Sequence, residues 1–125
     1  MPPGAETVVY CLTRDRELAA AFDGRLLGAI AFFYNDAARL NQAVMLRKPN
    51  LVVVDTGAIR QEFGDGGLGP VVSFLHERAP DARLAVRPTA GVEHLVAAEA
   101  GHHVEMLSAD RDRCIEDVAA FCGCS

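Results

Sequence analysis

The sequence lacks the features that mark nucleic-acid-binding and membrane proteins. It has no tryptophan, and aromatic residues make up only 6% of its 125 positions. No run of lysine and arginine occurs and the net charge is −5, so no direct nucleic-acid partner is expected. The longest apolar stretch, residues 26–34, is far too short to span a bilayer, so we expect no membrane partner either.

The N-terminal residues show no export signal. Residues 1–6 lack the basic and apolar regions of a signal peptide, so a cytoplasmic location is expected by default. Half of the 125 residues are hydrophobic, which is enough for one domain with a substantial core. We therefore predict a single domain over residues 1–125, with a loose N-terminal arm over residues 1–6 and a frayed tail over residues 121–125.

Four cysteines are present, and their spacing does not predict a metal site. Cys11 and Cys114 fall in a predicted buried strand and a predicted helix, where a thiol is a small apolar filler. Cys122 and Cys124 form a C-x-C pair in the tail. Structural zinc sites use wider spacings and a second pair of ligands. We expect no metal and no cofactor, and the role of the tail pair is left open.

The most informative stretch is residues 49–57, Pro-Asn-Leu-Val-Val-Val-Asp-Thr-Gly. Four consecutive aliphatic residues indicate a strand that is buried on both faces, as in the centre of a parallel sheet covered by helices. Asp55 follows at the carboxyl end of this strand, where open α/β sheets place their ligand crevices. A turn residue or a helix cap is the alternative interpretation of Asp55.

The rest of the chain alternates strand and helix patterns. Strands are predicted over residues 7–12, 29–34, 51–55, 82–86 and 102–107, and helices are predicted to begin near residues 15, 37, 69, 89 and 108. Short connections between alternating elements favour a parallel sheet with right-handed crossovers. The predicted fold class is α/β: a five-stranded parallel sheet in the order 2-1-3-4-5, flavodoxin-like, within a (βα)5 three-layer sandwich.

A glycine-rich segment interrupts this pattern after Asp55. Residues 56–69 hold five glycines and are predicted to form an irregular loop. Its last six residues, Gly-Asp-Gly-Gly-Leu-Gly, have neither the position of a dinucleotide-binding turn nor the lysine of a phosphate-binding loop. The segment therefore gives little support to a nucleotide site.

Four segments together resemble the receiver domain of two-component response regulators. They are residues 48–55, the Gly-Leu pair at 67–68, the Thr-Ala pair at 89–90 and the Ala-Ala-Glu-Ala-Gly run at 97–101. The resemblance implies that Asp55 stands at the phosphoacceptor position. It also implies that Thr89 and Ala90 stand at the switch position at the end of the fourth strand.

The chain departs from that family where the chemistry is done. The family has an acidic pair after the first strand, and Leu12 and Thr13 stand at those positions here. The family also has a lysine after the fifth strand, where this chain has Ser108. Mg²⁺ requires several hard oxygen ligands and rarely sits on one carboxylate. Arg14 or Arg87 is a candidate substitute for the missing positive charge near Asp55.

These departures predict an atypical receiver, or pseudo-receiver. We expect a non-enzymatic, phosphorylation-independent protein-interaction module whose partner is a signalling or output domain, including one fused C-terminally in a longer protein. The resemblance implies output, and a homodimer, through the face formed by the fourth helix, fifth strand and fifth helix.

Two alternative functions remain. One is a working phosphoacceptor of a phosphorelay that uses Asp55 with an unorthodox metal site, in which Glu62 or Asp65 is a ligand. The other is a small-ligand-binding or enzymatic flavodoxin-like domain. The second has little support, because the sequence contains no serine nucleophile elbow.

Overall fold

The computed structural model describes residues 7–22, 29–63, 69–88 and 104–121. The described strands are β1 (Thr7–Leu12), β2 (Ala29–Tyr34), β3 (Leu51–Asp55), β4 (Arg83–Arg87) and β5 (Val104–Met106). The described helices are α1 (Arg16–Phe22), α2 (Ala37–Leu46), α3 (Thr56–Phe63), α4 (Gly69–Arg78) and α5 (Arg111–Phe121). Among the described residues, no helix combines the length and the apolar character that crossing a bilayer requires.

The five strands form one parallel sheet in the order β2-β1-β3-β4-β5. This confirms the predicted α/β class, strand order and flavodoxin-like architecture. β3 lies at the centre, with β1 on one side and β4 on the other. The register places Asp55 of β3 beside Arg87 of β4.

β3 is buried on both faces, as its four aliphatic residues predict. Val52 and Val54 pack into an apolar cluster with α2 and α4, whereas Leu51 and Val53 pack into a second cluster with α1 and α5. Because its side chains alternate between the two clusters, β3 links the two halves of the core. Fully burying one such side chain contributes about 1.5–3 kcal/mol. Asp55 follows Val53 on the α1 and α5 side, because side chains alternate along a strand.

The two described cysteines lie in the second cluster. Cys11 and Cys114 are both buried there, in agreement with the prediction that they fill space. Burial raises the pKa of the Cys114 thiol to about 11, even though Arg87 acts in the opposite direction. Cys114 is therefore protonated at neutral pH and does not act as a nucleophile.

The predicted loop over residues 56–69 is wrong in its first half, where the chain forms α3. Asp55 caps the start of this helix, since its Oδ1 accepts a hydrogen bond from the Gly57 N–H at 2.9 Å. Ala58 and Ile59 are buried in the cluster with α2 and α4. The glycines misled the prediction because most of them follow Phe63, whereas residues 58–63 contain no helix breaker.

Several predictions fall on residues that the structure does not describe. The N-terminal arm over residues 1–6 and the helix over residues 89–101 lie outside the described ranges. The predicted tail over 121–125 begins with Phe121, which is the last residue of α5 and packs against the second cluster. The Arg83 guanidinium lies 3.6 Å from the centroid of the Phe121 ring.

Asn50 joins three strands at the amino-terminal edge of the sheet. Its side-chain Oδ1 accepts a hydrogen bond from the Val8 N–H at 2.8 Å, and its own N–H donates to the Val8 carbonyl at 2.8 Å. Its carbonyl accepts from the Arg83 N–H at 3.0 Å. One residue therefore satisfies backbone groups of β1 and β4 just before β3 begins.

We predict that Asn50→Ala destabilises the fold, because it leaves the Val8 N–H without this acceptor. The expected loss is about 1–3 kcal/mol in the free energy of unfolding, measured by urea denaturation. Asn50→Asp keeps an acceptor oxygen and is the matched control. Amide exchange at Val8 should accelerate in the alanine variant, and equal stability of the two variants would contradict the assignment.

Candidate functional site

Asp55 is a buried carboxylate that lies at the carboxyl end of the central strand. Its side chain is only 7% exposed. Oδ1 caps α3 through Gly57, and Oδ2 accepts hydrogen bonds from Thr13 Oγ1 at 3.0 Å and from Arg87 Nη1 at 3.3 Å. Asp55 is thus a helix cap, as the alternative interpretation held, and also the partner of a buried cation.

Arg87 brings that cation to Asp55 from the neighbouring strand. The side chain is 5% exposed, and Nη1 also donates to Asp15 Oδ2 at 3.0 Å. Nε and Nη2 both donate to the Ala109 carbonyl, at 3.1 and 2.9 Å. A guanidinium group has five N–H donors in a fixed plane, which suits it to holding several acceptors at once. Arg87 thereby joins β3, the start of α1 and the loop before α5.

Asp15 links the buried pair to the surface. Its Oδ1 caps α1 by accepting from the N–H groups of Glu17 and Leu18, at 3.0 and 3.1 Å. Its Oδ2 meets Arg87 and also Arg111, whose Nε lies 3.3 Å away. Arg111 in turn contacts Glu17 Oε2 at 2.9 Å. Charges of alternating sign therefore lead from Asp55 outward to α5 and α1.

The pKa of Asp15 reflects these contacts. Partial burial acts to raise it, but hydrogen bonds from Arg87, from the Leu18 N–H and from Arg111 outweigh burial and lower the pKa. Asp15 therefore stays ionised to lower pH than an ordinary aspartate. The Arg87 guanidinium contacts two carboxyl groups, that of Asp15 and that of Asp55.

The two arginines proposed as charge substitutes lie in different places. Arg87 contacts Asp55, whereas the Arg14 side chain is directed to the β2–α2 loop, where Nε donates to the Asn35 carbonyl at 3.2 Å. The position of the family's lysine, Ser108, is engaged locally. Its N–H donates to Asp117 Oδ2 at 3.1 Å, and its Oγ accepts from the Asp110 N–H at 3.2 Å.

The positions of the acidic pair do not supply metal ligands. Leu12 is fully buried in the apolar core and has no side-chain oxygen, and the Thr13 hydroxyl donates to Asp55. Asp15 is occupied by a helix terminus and two guanidinium groups. Within the described ranges, no group of three histidine, cysteine, aspartate or glutamate side chains could hold a metal ion. The described residues at this edge do not fit Mg²⁺.

Other predicted site residues lie outside the ranges that the structure describes. Thr89 and Ala90, at the expected switch position, fall in the undescribed range that follows Pro88. The side chain of Glu62 and the whole of Asp65 are likewise outside it, as are Cys122 and Cys124. The β4 residue in register with Asp55 is Arg87, two positions before Thr89.

Sequence reasoning missed part of the site. The sequence patterns place the start of a helix near residue 15 but give Asp15 no part in the site, and they indicate neither Arg111 nor the Ala109 carbonyl. A signal for Asp15 existed, because it follows β1 at the same sheet edge as Asp55 and Arg87. The Ala109 carbonyl carries no such signal, since any residue type would provide a backbone oxygen.

Comparisons of the chain with protein-family models, with curated proteins and with solved structures gave no match. The likeness to receiver domains therefore rests on the sequence motifs, and the strand order supports the flavodoxin-like fold alone.

We predict that Arg87→Met strongly destabilises the fold, because Asp55 would remain buried without its cation. Removing one partner of a buried pair typically costs about 3–5 kcal/mol. Adding Asp55→Asn should recover part of this loss, since no charge would then be left uncompensated. The measurement is chemical denaturation followed by circular dichroism.

Arg83→Met is the matched control on the same strand. Arg83 pairs with Glu105 at 3.0 Å, but the two side chains are 53% and 34% exposed. An exposed pair is worth about 0.2–1 kcal/mol, and its contact with Phe121 adds about 0.5–1 kcal/mol. Equal losses from the Arg83 and Arg87 substitutions would show that the buried pair has no special role.

A second prediction concerns acid stability. A carboxylate whose pKa is lowered by folding stabilises the native state above its unfolded pKa, about 3.9 for aspartate, and this contribution is lost as the pH falls through the folded value. Asp15→Asn should therefore flatten the decline of unfolding free energy below about pH 4. Arg111→Gln, which removes one donor, should move the Asp15 titration to higher pH in carboxyl-carbon NMR. Titration of Asp15 at or above the usual aspartate pKa would contradict the assignment.

Proposed function

We propose that this chain is a receiver-like signalling module that works through protein contacts, without metal-dependent phosphorylation of Asp55. The observation that carries the proposal is the contact of Arg87 with Asp55. The Oδ2 atom accepts from both Thr13 and Arg87, and the two charged side chains are almost completely buried.

The Arg87 contact opposes acceptance of a phosphoryl group. Phosphoryl transfer to a carboxylate needs the charge on the phosphoryl oxygens to be neutralised. The resemblance to receivers implies that a metal ion does this. Two unit charges 4 Å apart at an effective dielectric of 20 repel by about 4 kcal/mol, and a divalent ion doubles this figure. A metal ion beside Asp55 would therefore have to displace Arg87. The guanidinium makes three hydrogen bonds besides the one to Asp55, two to the Ala109 carbonyl and one to Asp15, and these resist that movement.

The same contacts provide a route for conformational coupling. Arg87 holds the Ala109 carbonyl in the loop between β5 and α5. A change at Asp55 would therefore alter the position of that loop and of the first turn of α5. This supports an output surface that includes β5 and α5, as the resemblance to receivers implies. The cation here comes from β4, whereas the family's lysine follows the fifth strand.

The test is a titration of the ¹⁵N-labelled full chain with Mg²⁺ and beryllofluoride, a phosphoryl analogue. We expect no saturable shift of the Thr13, Asp55 or Gly57 amides, because the described residues around Asp55 offer no set of metal ligands and Arg87 already contacts Oδ2. Asp55→Asn is the control for any weak effect, since it removes the acceptor carboxylate but keeps an oxygen for the cap.

Tight binding that requires Mg²⁺ and is lost in Asp55→Asn would overturn the proposal in favour of a working phosphoacceptor. A yellow preparation with flavin absorbance would instead favour the ligand-binding alternative. The proposal expects neither result.

A further inference from the structure

β2 is the outermost strand on one side of the described sheet. The Tyr34 carbonyl accepts from the Thr13 N–H, so the backbone groups of Tyr34 face β1. Backbone groups of successive strand residues point to opposite sides, so those of Ala31 and Phe33 point away from the sheet. In the part of the chain that the structure describes, no strand lies beyond β2 to receive them.

Within its own described residues, β2 has no side chain of the kinds that protect a sheet edge against another strand. Native sheets protect exposed edges with charged residues, proline or bulges. β2 reads Ala-Ile-Ala-Phe-Phe-Tyr and contains neither charge nor proline. Ile30 and Phe32 are large apolar side chains that are 37% and 38% exposed. These properties favour the addition of a further strand, which would cover the apolar side chains and bond the outward backbone groups.

An open depression of about 940 Å³ lies beside the carboxyl-terminal half of β2. Its walls come from the start of α1, from one side of α2 and from the two loops at this edge, and Phe33, Tyr34 and the highly exposed Leu46 are among its apolar residues. A depression of this size can hold several residues of an extended chain. Because Phe33 and Tyr34 are the residues of β2 that line it, the depression adjoins the carboxyl end of the open strand.

The charges around this depression favour an acidic occupant. Three arginines line it, Arg14, Arg16 and Arg39, against two aspartates. Asp15 already contacts Arg87 and Arg111, and Asp36 caps α2 and pairs with Arg39. The lining therefore carries more positive than negative charge, in a chain whose net charge is −5.

We propose that the β2 edge and this depression bind an extended, acidic segment of a partner protein as a sixth strand. The backbone of the segment bonds Ala31 and Phe33, its apolar side chains cover Ile30 and Phe32, and its carboxylates lie near Arg16. A second copy of the chain fits less well, because its β2 has no acidic residue to meet the arginines. The inference rests on the proposed function, because it names a surface for the proposed protein contacts. Asp55 and Arg87 take no part in this surface.

The probe is a synthetic nine-residue peptide with a Val-Thr-Val-Thr-Val core between pairs of glutamates, and its counterpart has lysines in place of the glutamates. Each is titrated into the ¹⁵N-labelled full chain. We expect saturable shifts at the Ala31 and Phe33 amides and at least tenfold tighter binding of the acidic peptide. Amide exchange at Ala31 and Phe33 should slow in the complex.

Two variants separate the backbone and charge contributions. Ala31→Pro removes an outward donor while leaving the β1 hydrogen bonds in place, so it should abolish binding. Arg16→Glu should weaken the acidic peptide at least fivefold without loss of stability, because an acidic residue suits the first turn of a helix. Arg113→Glu is the matched control, since Arg113 is also an exposed arginine in the first turn of a helix but does not line the depression.

Equal affinity for both peptides, or binding that survives Ala31→Pro in a folded variant, would overturn the proposal. So would absence of binding, or a dimer that forms through β2 without peptide. These outcomes leave the beryllofluoride titration unaffected, because that experiment is read at Asp55. Asp55→Asn should bind the acidic peptide as the unaltered chain does.

Discussion

The contact between the Arg87 guanidinium and the Asp55 carboxylate determines what this sheet edge can do. Both groups are buried at the ends of adjacent central strands, so each requires the other to offset the cost of leaving water. The guanidinium also fixes Asp15 and the Ala109 carbonyl. The starts of α1 and α5 therefore depend on a charge supplied by β4. The Asp55 carboxylate is a structural part of this sheet edge.

The fold was accessible from the sequence because its main signals are local. The aliphatic run of β3 predicted a strand buried on both faces, and the alternation of strands with helices predicted the parallel order that the structure shows. The error at α3 arose where local signals conflicted. Its first turn depends on a cap from Asp55, and the glycines that follow the helix suggested a loop for the whole segment.

The candidate site was only partly accessible. Asp55 and Arg87 could be named because the carboxyl ends of parallel strands meet at one edge, but sequence could not choose between Arg14 and Arg87. The choice is made by register, which places Arg87 directly beside Asp55, and by the Asn35 carbonyl, which engages Arg14. Neither the register nor the backbone acceptor at Ala109 has a residue-type signature.

The Arg87 guanidinium makes four hydrogen bonds to three groups, and these bonds limit how the sequence can change at this site. Substituting Arg87 first would leave the buried Asp55 carboxyl group without its cation, whereas Thr13→Asp first would place a second carboxyl group beside it. Loss of the cation alone would cost about 3–5 kcal/mol, a large share of the roughly 5–15 kcal/mol that holds a typical domain together. A different chemistry at Asp55 would therefore require Arg87 and its carboxyl partners to change together.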